Sequence, residues 1–240
     1  MNGDETAALK VRDLDTYYDR AHILHGLSLH VGAGEVVALM GRNGAGKSTT
    51  LKAIMGLVPA AGGGNSFRGQ PILGWPAYRI ARAGLGYVPE DRRIFTDLTV
   101  EENLEVGRRP PREGHSAWTL ERLFFLFPNL AEMRARRADR ISGGEQQMLS
   151  LARTLMGNPT AILLDEPSEG LAPVIVAQMA QTVQALKGEG LSVLLSEQNL
   201  YFAAEISDRA YVLESGGVKF EGPMAELLGD ERLRRTHLSV

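Results

Sequence analysis

The sequence predicts an α/β domain. Short apolar runs, each closed by turn or polar residues, alternate with longer stretches of helical period. One of these runs leads through a glycine-rich loop into a helical stretch. The clearest runs are Val36 to Met40, Ala161 to Leu164, Leu191 to Leu195 and Ala210 to Leu213, and such uniform apolarity suits strands buried on both faces. Between them, Met148, Leu151, Ala152 and Leu155 share one helical face, and Val176, Met179, Ala180 and Val183 share another. Asn158 and Pro159 close the first helix, and Pro173 and Gly188 bound the second. Residues 60–70, AAGGGNSFRGQ, carry four glycines and little apolar pattern, so they read as a turn or an exposed, mobile hairpin. From about Asp91 to Arg140 the strand pattern gives way to a polar, helical, arginine-rich stretch, a candidate inserted subdomain.

A chain of 240 residues holds one large domain or two small ones and has ample length for a core. The absence of cysteine excludes a disulfide framework and thiolate metal sites and fits a reducing compartment. The 26 basic and 29 acidic residues leave a net charge of -3, which is no electrostatic footprint for nucleic acid. Residues 1–10 include Asp4 and Glu5 and lack the basic start and apolar stretch of a signal peptide. No apolar run reaches the roughly 20 residues that span a bilayer. A soluble, intracellular chain that does not itself cross the membrane is expected.

The loop Gly41-Arg42-Asn43-Gly44-Ala45-Gly46-Lys47-Ser48 matches G-x-x-x-x-G-K-[ST] between an apolar run and a helical stretch containing Leu51, Ile54 and Met55. Glycines let backbone N–H groups curl around phosphate oxygens, and the helix N-terminus adds partial positive charge. Lys47 would reach the β- and γ-phosphates and Ser48 would ligate Mg²⁺; Thr49 completes the candidate ATP-binding set. The run ending in Asp165 and Glu166 supplies the second half of such a site. Asp165 would hold Mg²⁺, directly or through water, and Glu166 would act as base or orienter for the attacking water.

Ile141-Ser142-Gly143-Gly144-Glu145-Gln146-Gln147, just ahead of the first amphipathic helix, closely resembles the signature sequence of ABC-type ATPases. The resemblance runs from Val11 to about Leu228. It implies a P-loop NTPase of the ABC type: a RecA-like lobe with a mixed sheet, an antiparallel β region and an inserted α-helical subdomain at about 91–140, all in one domain over 1–240. It also implies a head-to-tail dimer in which each phosphate loop faces the other chain's signature. Ser142 and the N–H groups of Gly143 and Gly144 would then meet the γ-phosphate of the partner's ATP. Ser142 and Glu145 also fit a capping box, and both roles use the same helix terminus.

Further positions follow from the resemblance. Tyr18 stands where relatives place the ring that stacks on adenine; its neighbour Tyr17 is the alternative, because adjacent strand residues face opposite ways. Ser168 to Leu171 would cross the dimer interface, and the helical insertion would meet a membrane partner. Two positions depart from the common pattern. Glu90 replaces a glutamine; a carboxylate is the better Mg²⁺ ligand but, when ionised, donates no hydrogen bond. Gln198 replaces a histidine; its amide still donates to phosphate but carries no proton.

Glu90, the stretch to Leu104, Ser168 to Pro173 and Ser196-Glu197-Gln198-Asn199 look like the second ATPase of branched-chain amino acid importers. That resemblance implies a Mg²⁺-dependent, ATP-hydrolysing motor on the cytoplasmic face of the cell membrane. Its implied partners are permease subunits, a second ATPase subunit (itself or a paralogue) and, indirectly, a periplasmic or extracellular solute-binding protein. A urea or short-amide importer ATPase, a soluble cofactor-assembly ATPase and an exporter ATPase are the alternatives.

Weaker signals have plainer readings beside functional ones. Leu123 to Phe127 reads as subdomain core, with a permease-docking surface as the alternative. Arg134, Arg136, Arg137 and Arg140 read as a solvated helix face rather than a lipid contact, since Glu132 and Asp139 interleave. His22, His25, His30, His115 and His237 show no metal spacing.

Overall fold

The uniformly apolar runs become adjacent strands of one buried sheet, and the glycine-rich loop leaves that sheet at its centre. A computed structural model describes residues 7–238 of the chain. Residues 1–6, which include the Asp4 and Glu5 of the signal-peptide argument, lie outside the described residues.

The chain opens with two long antiparallel strands, β1 (Ala7–Tyr18) and β2 (Ala21–Gly32), followed by β3 (Val36–Met40) and helix α1 (Lys47–Ile54). Next come β4 (Ala60–Phe67), β5 (Gln70–Pro71), α2 (Ala77–Ala83) and β6 (Leu85–Val88). Three short helices, α3 (Val100–Gly107), α4 (Leu120–Leu126) and α5 (Pro128–Glu132), precede the longer α6 (Gly143–Leu155). The remainder alternates: β7 (Ala161–Asp165), α7 (Pro173–Gly188), β8 (Ser192–Glu197), α8 (Leu200–Ile206), β9 (Arg209–Glu214), β10 (Gly217–Pro223), α9 (Met224–Gly229) and α10 (Glu231–His237).

Strands β6, β7, β8, β3 and β9 run parallel, and β10 adds antiparallel to β9, in the order β10-β9-β3-β8-β7-β6. Because successive strand residues face opposite ways, this mixed sheet feeds two cores. Ala38, Ile162, Leu164, Val193 and Leu195 pack toward the side of α6 to α9, while Val37, Leu39, Leu163 and Leu194 pack toward α1 and the second sheet. Each Val, Leu or Ile side chain among these, fully buried, contributes about 1.5–3 kcal/mol. The second sheet is antiparallel, in the order β2-β1-β4-β5, and α1 lies against both sheets.

Residues 60–70 take the hairpin form of the expectation, β4 turning into β5, but most of the segment is a strand paired into the second sheet. β4 pairs with β1 from Leu9↔Phe67 to Thr16↔Ala60, and the turn is confined to Arg68 and Gly69 before β5. The glycines serve the pairing: a Cβ on Gly63 would stand 2.4 Å from the carbonyl oxygen of Asp13. Between β6 and β7 the described residues contain helices, a 3-10 turn at Ala138–Arg140 and a single bridge, Thr99↔Arg137. In this helical stretch Leu123 and Phe127 are buried and Phe125 is exposed. Arg134 pairs with Glu101, and Arg137 with Asp97 and Asp139; being exposed, these pairs contribute little.

The turn between β9 and β10 braces the phosphate loop. Gly216 N–H donates to the Ala45 carbonyl at 2.9 Å, and the Gly216 carbonyl accepts from His25 N–H at 3.1 Å. Its φ is +76°, and a Cβ there would meet the Ile23 carbonyl oxygen at 1.9 Å. Gly216→Ala should therefore cost about 2 kcal/mol or more through strain and overpacking and weaken nucleotide binding. Urea unfolding and nucleotide titration check both, and an unchanged midpoint would contradict the bracing role.

Candidate functional site

The phosphate loop works because three of its glycines hold backbone that side-chain-bearing residues avoid. Gly41, Gly44 and Gly46 have φ of +150°, +79° and +108°. Gly41 also needs its missing Cβ, which would fall 2.5 Å from the Leu213 carbonyl oxygen. Gly46 caps α1 without any side-chain hydrogen bond, and the first turn carries no acid. The N-terminal N–H groups of α1 therefore have neither a side-chain cap nor a carboxylate to satisfy them.

Lys47 folds back over this loop. Its Nζ donates to the carbonyls of Gly41 (2.9 Å) and Arg42 (3.3 Å) and sits 3.0 Å from Glu166 Oε1, with both side chains more than nine-tenths buried. Ser48 Oγ donates to Asp165 Oδ1 at 2.8 Å. The buried Asp165 carboxylate also accepts from Ser196 Oγ (2.7 Å) and Tyr87 OH (3.0 Å). Burial first, then the Asp165 charge and hydrogen bond, push the Tyr87 phenol up, so it stays a donor.

Glu166, at φ +46°, is held by its N–H donating to the carbonyl and Oγ of Ser196. Gln198 Nε2 donates to its Oε2 at 2.7 Å. Burial pushes this carboxyl up, but hydrogen bonds from Glu169, Gln198 and Lys47, together with the Lys47 charge, outweigh it and hold the group below its usual range. Glu169 moves the other way, up to about 7, first through its hydrogen bond to Glu166, then through burial and the charges of Glu166, Glu90 and Glu197. The two carboxyls are thus pushed apart, with the proton favoured on Glu169 rather than Glu166.

Lys47, Ser48, Glu166 and Glu169 border a cavity of about 390 Å³, together with Tyr18, Ile23, Asn43, Gly44, Gly46, Thr49 and Glu90; Gly41, Asp165 and Gln198 do not border it. Tyr17 instead stacks on His22 with ring centroids 4.1 Å apart. Arg42 does not border the cavity: its Nη2 reaches the carbonyls of Arg235 and Leu238. Ala45 also stands outside it, bound to Gly216.

The signature residues lie elsewhere in the chain. Ser142 caps α6 in a complete capping box, its Oγ accepting from Glu145 N–H while Glu145 accepts from Ser142 N–H. Gln146 Nε2 turns back to the carbonyls of Ala138 and Ile141. None of Ser142, Gly143, Gly144, Glu145 and Gln146 borders the cavity.

Ser196, Tyr87 and Glu197 are site residues that motif reading passed over. Glu197 is buried, and burial pushes its carboxyl up against the pull of its hydrogen bonds. It accepts from the N–H groups of Ser168, Gln198 and Asn199. It thereby ties the loop after β7 to the loop after β8. Their signal was polar residues closing or interrupting apolar strand runs.

Residues 24–169 match the ABC transporter family, and the chain belongs to that family of ATP-binding, ATP-hydrolysing subunits. It is 43% identical over 225 residues to the high-affinity branched-chain amino acid transport ATP-binding protein BraG of Pseudomonas aeruginosa, covering 94% of this chain and 97% of that one. It is 34% identical to the probable branched-chain amino acid transport ATP-binding protein LivF of Archaeoglobus fulgidus, covering 97% and 99%. It is 32% identical to the lipopolysaccharide export system ATP-binding protein LptB of Escherichia coli, covering 97% of each chain. Among solved structures, an ATP-binding cassette of an ABC transporter in its ADP conformation superposes with a TM-score of 0.81 at 26% identity, covering 95% of this chain and 97% of that one.

The carboxyl pair gives a pH signature. A Glu169 carboxyl raised from 4.5 to about 7 contributes stability that is complete below its unfolded value and lost as pH rises through about 7. Glu169→Gln cannot ionise, so wild type should lose melting temperature relative to the variant between about pH 5 and pH 8. Parallel pH profiles in a thermal melt would contradict the raised Glu169 carboxyl.

Proposed function

We propose that the chain is the ATPase subunit of an importer for branched-chain amino acids, acting on the cytoplasmic face of the membrane as half of a head-to-tail dimer. The observation that carries this reading is the division of the site. Asn43, Gly44, Gly46, Lys47 and Ser48 of the phosphate loop line one cavity with Glu166, and Ser48 bonds Asp165 behind it, while the signature caps a helix outside it. A second copy or a paralogue completes each cavity. The similarity to BraG across nearly the whole chain supports the substrate class.

In this reading ATP binds with its adenine against Tyr18 and its phosphates in the N–H cradle of residues 41–49. Lys47 turns from Glu166 to the β- and γ-phosphates, because a phosphate oxygen offers the buried ammonium the counter-charge it otherwise takes from the carboxylate. Glu166 is then free to orient and deprotonate water, and Gln198 fixes its second oxygen. Positioning and electrostatics, rather than covalent catalysis, lower the barrier.

The donor set fits Mg²⁺. Ser48 Oγ, the Asp165 carboxylate and the nearby Glu90 are hard oxygen ligands, and no group of three or more His, Cys, Asp or Glu among the described residues forms a complete cage. A few protein oxygens, with phosphates supplying the rest, is how Mg²⁺ is usually held. Bound there, the ion would neutralise phosphate charge.

We further propose that a permease helix enters the groove of about 530 Å³ beside α2, α3 and α6. Leu57, Tyr78, Phe95 and Val106 form its apolar floor, Arg82, Arg93, Arg109 and Arg153 also line it, and no carboxylate does. This groove fits a docked helix better than Leu123 to Phe127, of which Phe125 alone is exposed while the other four pack into or against the core. An exporter motor is the second reading, favoured by the 32% identity to LptB over nearly the full chain.

Glu166→Gln should bind ATP with little change, lower kcat by about 10²-fold or more and accumulate as a nucleotide-bound dimer in size-exclusion chromatography with light scattering. Normal turnover would remove Glu166 from the base role. In proteoliposomes with two permeases and a binding protein, leucine should stimulate ATP hydrolysis, and Val106→Asp should abolish that stimulation. No response to any branched-chain amino acid in an assembled complex would favour the exporter reading.

A further inference from the structure

The segment after Glu90 carries backbone strain that the nucleotide site itself does not explain. Arg92 and Arg93 both sit at positive φ, +60° and +49°, and two consecutive side-chain-bearing residues in that region persist only where surroundings hold them. The holding groups come from α6. Ser150 Oγ donates to the Arg92 carbonyl at 2.7 Å, and Arg153 Nη2 donates to the carbonyls of Arg92 (3.3 Å) and Arg93 (2.7 Å). Ser150 is fully buried. A third contact lies at the other end of the helix, where a Cβ on Gly143 would meet Arg92 Nη1 at 2.8 Å. The Arg92 guanidinium thus covers the first residue of the signature helix.

Gly143, Ser150 and Arg153 are seven and three residues apart, so they share one face of α6. That face is given to one short loop, and the loop's first residue, Glu90, borders the nucleotide cavity. The base of the helix is fixed as well: a Cβ on Gly86 of β6 would lie 2.7 Å from Thr154 Cγ2, and one on Gly107 would lie 2.2 Å from the Arg153 carbonyl oxygen. From Ser150 to Gly143 the helix rises about 10 Å, so a tilt of about 5° at the fastening moves the signature by about 1 Å. A displacement of that size is enough to make or break a hydrogen bond to phosphate.

We propose that Ser150 and Arg153 are positioning residues that fasten the Glu90 loop to the signature helix, so that nucleotide bound in one cavity sets how the signature is presented to the other. The two ATP sites of the dimer are coupled through this clamp. This inference rests on the reading that the signature acts on the partner's nucleotide.

The test uses the full chain and ATP. In Ser150→Ala/Arg153→Met, binding of a fluorescent ATP analogue should stay within about two-fold of wild type, while kcat falls about ten-fold or more and the Hill coefficient for ATP drops from near 2 toward 1. Arg153→Lys, which keeps a donor for the two carbonyls, should restore most of the Hill coefficient. Arg92→Gly, which keeps the clamped carbonyl and removes only the guanidinium over Gly143, should keep most of the cooperativity; its full loss there would place the coupling in the guanidinium and overturn the role of Ser150 and Arg153. A merely structural role would lower binding, kcat and melting temperature together, with no rescue by lysine. Unchanged kcat and Hill coefficient in the double variant would overturn the proposal. A wild-type chain that forms no ATP-dependent dimer would instead overturn the trans reading beneath it.

Discussion

The site is organised around a buried ion pair, Lys47 with Glu166 at 3.0 Å. Burying two charges is costly, and removing one partner of such a pair typically costs about 3–5 kcal/mol. The chain accepts this arrangement where the phosphate loop, β7 and β8 end side by side, which is where parallel sheets carry their ligands. Every neighbouring contact serves the pair. Gly41 and Arg42 offer carbonyls to the ammonium, Gln198 and Glu169 bond the carboxylate, and Ser196 fixes the backbone at Glu166. In the proposed mechanism a phosphate oxygen replaces Glu166 as the partner of Lys47, which frees the carboxylate to act on water.

Asp165 and Glu166 are adjacent in sequence yet have opposite surroundings. Asp165 collects three hydroxyl donors, from Ser48, Ser196 and Tyr87, which suits a carboxylate that awaits a cation. Glu166 turns at φ +46°, and that left-handed step lets consecutive carboxylates point to different partners. Glu197, a third buried carboxylate, accepts three backbone N–H groups instead. It links the loop after Glu166 to the loop carrying Gln198, so Glu166 and the amide that bonds it are held in one frame.

The parallel sheet and the phosphate loop were legible in the sequence because each is specified locally: β3, β7, β8 and β9 are unbroken apolar runs, and the loop is a contiguous motif. The antiparallel sheet was not. β1 alternates imperfectly, because the pairing shifts between Val11 and Leu14, where Asp13 turns at φ +46°, and such bulges break a period of two. β4 was hidden by its glycines, which in isolation signal a turn and here allow close approach to β1. Ser196, Glu197 and Tyr87 acquire their place only when β6, β7 and β8 align, and the clamp of Ser150 and Arg153 on residues 92 and 93 joins segments about 60 residues apart. Contacts set by topology leave at most a polar residue in or after an apolar run as their local trace.

The distance from Lys47 Nζ to Glu166 Oε1 in the chain saturated with Mg²⁺ and ATP is the most direct measure of this account. A crystal structure of the wild-type chain with Mg²⁺ and a non-hydrolysable ATP analogue would report it. The ammonium should bond phosphate oxygens and stand beyond about 4 Å from the carboxylate. An ammonium still bonded to the carboxylate, with nucleotide in the cavity, would contradict the claim that a phosphate oxygen replaces Glu166 as the partner of Lys47.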